Sequence, residues 1–430
     1  MKKAAYILCL LIVMLTIAAG CSDNGEGNKE DANVDGKWTG SIEVPNQPLD
    51  IIVSFTKDGE WTGTISIPVQ GIEAYPLSSV TVNGTDVAFF ADIQGQQIAF
   101  DGEFKDDEMT GDFSQHGQTF PFQLTKGGTV DENDGNFLSV ETDEGMLYGE
   151  LEVPDGEGPF PVMLIIPGSG PTDRNGNSAG IGVNNSLKRL AERLAEQGIA
   201  SLRYDKRGVG ENLEAAIPEN ELRFDQFVDD AVAWTNLLAQ EEDYSKVGII
   251  GHSQGSLVGM LAARAGHADA FISLAGAGHS IDQVLYEQLE TQLSENSLAE
   301  AEDILDKLKK GEQVQDVSQE LQSVFRPSVQ DFLASWMQYA PREEMAALEM
   351  PMLIVNGERD LQVSASEAEL LHEASPNADM LILEEMNHVL KEAPEDEKGN
   401  METYSDPDLP LADDLMEGMV NFLKEHRFLE

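Results

Sequence analysis

Three short stretches carry the residue types that acyl-transfer chemistry requires. Ser253 stands in Gly251-His252-Ser253-Gln254-Gly255, a G-x-S-x-G pentapeptide between the apolar run 247–250 and the helix-forming run 256–261. Glu358 and Asp360 follow the apolar segment 351–355, and His388 follows the segment 380–385. A serine hydroxyl is a weak nucleophile until a base takes its proton, and that base needs an acid to orient it. Serine, acid and histidine occur here in that chain order. Each lies just past the end of a strand-like run, where open parallel sheets gather their sites. The spacing points to attack on a carbonyl through a covalent acyl intermediate.

Position decides what the neighbours do. A sharp strand-to-helix turn at Ser253 lifts the hydroxyl above a sheet, and Gly251 and Gly255 allow the strand and helix backbones to approach. The helix that follows points its N-terminus at the same spot, where developing negative charge is favoured. Two backbone donors are needed for the oxyanion. One is the N–H of Gln254; the other comes from the Gly-rich loop 164–177, with Ser169 the expected donor and Gly170 the alternative. A phosphate cradle is disfavoured there, since no lysine closes the loop and no G-K-S/T follows.

Glu358 and Asp360 are two apart and face the same way in extended chain, so periodicity does not choose between them. Reach favours Asp360, further onto the loop, while Glu358 is expected to pair with Arg359 or another surface base. His252 is expected to point away from the hydroxyl and pack beneath the turn. His279, at another strand end, is a candidate for lining the pocket or for hinging what covers it. His267, His372 and His426 fall at helix ends or on helix surfaces, away from this chemistry.

The elements that must position these residues alternate. From residue 137 onward, short apolar strands (161–168, 199–205, 246–253, 269–278, 350–357, 378–385) alternate with amphipathic helical patterns, predicting a mostly parallel sheet covered on both faces. The alternation breaks at 279–349, which holds only helical patterns and reads as a cap inserted over the end of the sheet. Residues 37–126 instead alternate with period two between turn signals, predicting a small antiparallel all-β barrel or sandwich. Trp38-Thr39-Gly40 recurs at Trp61-Thr62-Gly63 and is echoed at Met109-Thr110-Gly111, which reads as hairpin turns of a meander. His116, the single histidine of this region, gives it no convergent chemistry.

The N-terminus has its own logic. Residues 1–21 have a basic end, an apolar stretch and small residues before Cys21, the pattern of an export signal rather than a membrane span. Ala18-Ala19-Gly20-Cys21 resembles the bacterial lipoprotein signal, which implies lipidation of Cys21 and attachment outside the cytoplasmic membrane. Residues 22–36 read as a flexible tether and 127–136 as a Gly-rich acidic linker. With Cys9 inside the signal, the exported chain has no internal disulfide. Among 430 residues, 78 Asp and Glu against 27 Lys and Arg give a formal charge of −51. That surface repels nucleic-acid phosphates, so a nucleic-acid partner is not expected, and it suits a saline or alkaline habitat.

The segments 167–177, 203–212, 251–255, 355–363 and 386–391 together resemble the α/β-hydrolase superfamily, in particular bacterial esterases of the serine-aminopeptidase-like branch. The resemblance covers about 137–430, less closely in the helical insert, and a small β domain like 37–126 is similar to one found ahead of such esterases. It implies Ser253 as nucleophile, Asp360 as acid, His388 as base, and Ser169 and Gln254 as oxyanion donors. Asp173–Asn177 and Asp205–Asn212 are implied to shape loops near the site. It further implies hydrolysis of short-chain carboxyl esters with no metal or organic cofactor. The alternatives are an aminopeptidase, whose substrate ammonium cap acids such as Glu287 or Glu290 would hold, and a surface-anchored binding protein with an inactive hydrolase unit.

Overall fold

The computed structural model describes residues 32–44, 49–67, 72–93, 96–105, 107–115, 118–126, 137–178, 182–290 and 292–429. The export signal with Cys21, most of the tether, the linker 127–136 and His116 lie outside the described residues.

The first unit is one nine-stranded sheet: β1 Gly36–Ile42, β2 Leu49–Asp58, β3 Glu60–Ile67, β4 Ile72–Pro76, β5 Ser79–Asn83, β6 Asp86–Ile93, β7 Gln96–Lys105, β8 Glu108–Gln115 and β9 Gln118–Lys126. Its order is β4-β3-β2-β1-β9-β8-β7-β6-β5, antiparallel throughout. The sheet curls into a half-barrel whose ends approach, with the N–H of Leu77 donating to Gly63 and that of Ser78 to Phe90. Period-two alternation turns Trp38, Phe55, Phe89, Phe100, Phe113 and Phe122 inward. Phe89 stacks on Phe100 at 4.4 Å, and Phe122 meets both rings edge-on at 6.1 and 5.2 Å. Aromatic side chains thus fill the interior.

Gly84-Thr85 turns the chain between β5 and β6, with Gly84 at φ 65°. One local expectation fails here: the Trp-Thr-Gly repeats are not turns, since they lie inside β1 and β3, and Met109–Gly111 lies inside β8. Their glycines answer to close packing: a Cβ on Gly40 would stand 1.9 Å from the carbonyl oxygen of Gln123, and one on Gly111 would stand 2.0 Å from that of Asp101.

The second unit is an eight-stranded sheet of β10 Phe137–Thr142, β11 Gly145–Glu152, β12 Phe160–Ile166, β13 Ala200–Tyr204, β14 Tyr244–His252, β15 Ala270–Leu274, β16 Met352–Gly357 and β17 Asp379–Leu383. The order is β10-β11-β13-β12-β14-β15-β16-β17. The hairpin β10-β11 joins antiparallel to β13, and the other pairs are parallel. Helices α1 Ser186–Glu196, α2 Phe224–Leu238 and α3 Gln254–Ala265 connect its first half. The insert carries α4 Ile281–Glu290, α5 Glu295–Lys309, α6 Gln322–Phe325, α7 Gln330–Trp336 and α8 Pro341–Ala346. Then come α9 Ala365–Ala374, α10 Glu397–Glu402 and α11 Leu415–Glu425. One face of the sheet packs against α1 and α11 through Leu187, Leu190, Leu194, Met419 and Phe422. The other packs against α2, α3, α8 and α9 through Trp234, Leu257, Leu261, Met345 and Leu371.

The cap is narrower than the helical pattern 279–349 suggests. Ile281, Ile304, Leu308, Phe325 and Leu333 form a separate core, whereas Met345 and Leu348 belong to the core of the sheet. The cap docks on α2 through α7: Phe224 stacks on Trp336 at 5.3 Å, and Phe227 meets Phe332 edge-on at 5.8 Å. Among the described residues, no helix is long and apolar enough to cross a membrane.

Candidate active site

The strand order sets the location. From β12 the chain steps to β13 on one side, then returns to β14 on the other, so a crevice opens between the C-terminal ends of β12 and β14. The loop Pro167–Gly170 leaves β12 there, and Ser253 leaves β14.

Ser253 holds φ 55° and ψ −120°, a left-handed conformation that costs a non-glycine residue roughly 1–3 kcal/mol. Surrounding contacts hold the strain in place. A Cβ on Gly251 would stand 2.2 Å from the carbonyl oxygen of Gly255, and one on Gly255 would stand 2.4 Å from that of Ile166. The Ser253 N–H donates to the Leu274 carbonyl at 2.9 Å, tying the turn to β15. The next residue, Gln254, opens α3, where the first N–H groups have no partner within the helix. The ideal Cβ position of Gly168 lies 3.3 Å from the Ser253 Cβ, so the β12 loop lies against the same serine. Ser169 is exposed on that loop.

Asp360 and His388 come together from loops after β16 and β17. His388 Nδ1 lies 2.8 Å from Asp360 Oδ2, and both side chains are buried. Asp360 Oδ1 accepts the N–H groups of Gln362 at 2.8 Å and Val363 at 2.9 Å. These donors fix the carboxylate and leave its other oxygen for the imidazole. Glu358 is exposed, one turn of the loop away. Its expected partner is engaged elsewhere: the Arg359 guanidinium reaches Glu385 at 2.9 Å and the Ala393 carbonyl. The reason is geometric, since Arg359 turns inward toward the loop that carries His388.

His252 does more than pack. Its Nε2 donates to the backbone carbonyl of His388 at 2.8 Å, joining the turn at Ser253 to the loop that carries His388, and the two rings lie 5.0 Å apart. Burial pulls its pKa down to about 4, with the nearby His388 adding to the shift. It is neutral at ordinary pH.

His279 lies on the loop after β15, with Nδ1 2.8 Å from Glu367 Oε1. Glu367 Oε2 accepts the N–H groups of Gly278 and His279, each at 2.8 Å. One ligand atom each from His279, Glu287 and Glu367 lies within 4.8 Å of the others, the closest approach to a cation site among the described residues. Glu367 is already satisfied by three protein donors.

A family described as serine aminopeptidase, S33, matches residues 183–392. The matched segment lies within the second unit, whose fold is that of an α/β hydrolase. The match takes in Ser253, Asp360 and His388, while Ser169 and the β domain fall outside it. Esterase EstD of Thermotoga maritima is 30% identical over 250 residues, covering 57% of this chain and 58% of that protein. The chain thus spans a little over half the length of that relative. Est1E from Butyrivibrio proteoclasticus is 17% identical with a TM-score of 0.43, over 67% of this chain and 99% of its own. GrgF from Penicillium sp. sh18 is 20% identical with a TM-score of 0.43, over 67% and 98%.

The segments Asp173–Asn177 and Asp205–Asn212 make contacts whose partners sequence reasoning did not name. Asp173 Oδ1 accepts the N–H groups of Asn175 and Asn177, each at 2.8 Å, and Arg174 bridges Glu150 at 2.5 Å and Asp205 at 2.6 Å. These contacts brace the loop that carries Ser169. Lys206 is 5% exposed, with Nζ 3.1 Å from the Gly168 carbonyl oxygen and 2.7 Å from Gln254 Oε1. The signal was its place directly after a buried strand; what hid it was the partners, 38 and 48 residues away in sequence.

Proposed function

We propose that the hydrolase domain cleaves carboxyl esters of short acyl chains through a Ser253-His388-Asp360 triad. The observation that carries this is the buried Asp360–His388 pair at 2.8 Å, with His388 tied through its carbonyl to the residue beside the strained Ser253. His388 takes the Ser253 proton as the hydroxyl attacks the ester carbonyl, and Asp360 orients and stabilises the imidazolium that forms. The N–H groups of Ser169 and Gln254 hold the oxyanion. The alcohol leaves with the proton from His388. Water then attacks the acyl-enzyme with the same base, releasing the acid and restoring Ser253. The esterase name of the Thermotoga relative supports the substrate class.

A second reading, aminopeptidase, is favoured by one observation: the Glu287 carboxylate stands on the cap beside His279 and Glu367, a negative group suited to a substrate ammonium. The test is a panel of aryl esters of increasing acyl length beside aminoacyl arylamides, with Ser253→Ala as control. Turnover falling with acyl length, and little on arylamides, is expected. Preference for arylamides would install the second reading, and no turnover of either would leave a binding protein.

We further propose a lipid anchor at Cys21 that holds the enzyme outside the cytoplasmic membrane, with small esters rather than nucleic acid as partners. Support comes from the small residues before Cys21 and the polar stretch after it. Cys21→Ser protein that stays wholly in the membrane fraction would refute it.

A further inference from the structure

We propose that Lys206 is a positioning residue that aims both oxyanion donors at once, an inference that rests on Ser253 being the nucleophile. The geometry turns on one peptide group. The carbonyl of Gly168 and the N–H of Ser169 belong to the same plane, and in a trans peptide they point in opposite directions. Lys206 Nζ donates to that carbonyl at 3.1 Å, so it fixes the plane's rotation and with it the direction of the Ser169 N–H. A donor on the carbonyl also polarises the peptide, strengthening the N–H on the far side.

The same nitrogen donates to Gln254 Oε1 at 2.7 Å. Gln254 is the first residue of α3, and its own N–H is the other donor. One buried nitrogen therefore ties together the two backbone segments that must converge on one oxygen atom. The Phe227 ring lies 4.2 Å from Nζ and closes a third side. Phe227 in turn packs against Phe332 of the cap, so the cap's docking surface and the oxyanion loop share this lysine.

The site is costly to maintain. Burial pulls the ammonium down to about 7, with Asp230 pulling the other way. A lysine that only filled space would be replaced by an apolar side chain at no such cost. The donor hydrogens survive in either protonation state, so the orientation does not depend on charge.

Lys206→Met removes the donor and keeps the bulk. On the best ester of the panel, kcat is expected to fall on the order of 10- to 100-fold, less than outright loss of an oxyanion donor, with KM within about threefold. The Ki of a trifluoromethyl ketone matched to the substrate, whose adduct carries an oxyanion, is expected to rise by a similar factor. A purely structural role would not move that Ki while sparing KM. Lys206→Arg, which keeps donors, is expected to recover most of the loss. Should the Met variant fail to fold, Lys206→Leu removes the donor with a shorter apolar chain and gives the same readouts. A folded Met or Leu variant with unchanged kcat and Ki, or one in which KM alone rises, would overturn the proposal. If Ser253→Ala stays active, the nucleophile assignment fails; if Ser253→Ala is inactive and Lys206→Met is not impaired, only this inference does.

Discussion

The two units solve the problem of an interior in opposite ways. Among the described residues, the β domain buries a single polar side chain, Ser66, and otherwise fills its centre with rings and aliphatic groups. The hydrolase domain buries Arg203, Asp205, Lys206, Arg207, Asp230, Asp360, Glu367, His388 and Lys391. Buried charge is expensive unless paired and hydrogen-bonded, so an interior that keeps this many is shaped by something besides stability. Several stand at the C-terminal ends of β13, β16 and β17, around the crevice. The contrast teaches where chemistry resides: the aromatic interior makes a platform, and the charged one makes a site.

The sharpest way to break the comparison is at the triad. Ser253→Ala and Asp360→Asn are each expected to lower kcat by about 10⁴-fold or more with little change in melting temperature, while Glu358→Gln stays within about twofold of wild type. Steady-state kinetics on an aryl ester decides this, and loss of activity in Glu358→Gln alone would move the acid.

The β domain should respond in the converse manner. Phe100 contacts Phe89, Phe113 and Phe122, so Phe100→Ala is expected to cost that domain about 3–5 kcal/mol. Ester turnover below the new unfolding transition is expected to stay within about twofold. Urea unfolding followed by fluorescence, run beside the ester assay, checks both halves. A collapse of kcat in the still-folded variant would mean that the platform participates in the reaction.

The smallest effect concerns His252. Its pKa is about 4 in the folded protein against an ordinary 6.5. Between those values the unfolded chain takes up a proton that the folded one refuses, so stability falls as pH drops from 6.5 through 4. The loss attributable to this residue reaches about 3 kcal/mol at the acid end. His252→Gln keeps an N–H for the His388 carbonyl and does not titrate, so its urea midpoint should fall less between pH 7 and 4. Identical pH slopes in the two proteins would remove His252 from the account.

Much of this was legible before any coordinates. Ser253, Asp360 and His388 announce themselves because each follows an apolar run in a parallel-strand rhythm, and strand ends are where such sheets work. The hairpin β10-β11 escaped notice because Phe137–Thr142 is short and half polar, a weak signal beside the buried strands that follow. The misread Trp-Thr-Gly repeats show the same limit: glycine marks both turns and close strand contacts, and only the neighbouring backbone distinguishes them.

By itself the sequence determined the alternation of strands and helices, the glycines that permit the turn at Ser253, and the placing of Ser253, Asp360 and His388 each just past an apolar run, because these depend on residues near one another in the chain. Tertiary structure alone decided that Arg359 turns toward Glu385 and that the His252 N–H holds the His388 backbone. It also decided that Lys206 joins Gly168 to Gln254. These are contacts between segments brought together by the strand order, and no local pattern encodes which donor a distant carbonyl will meet.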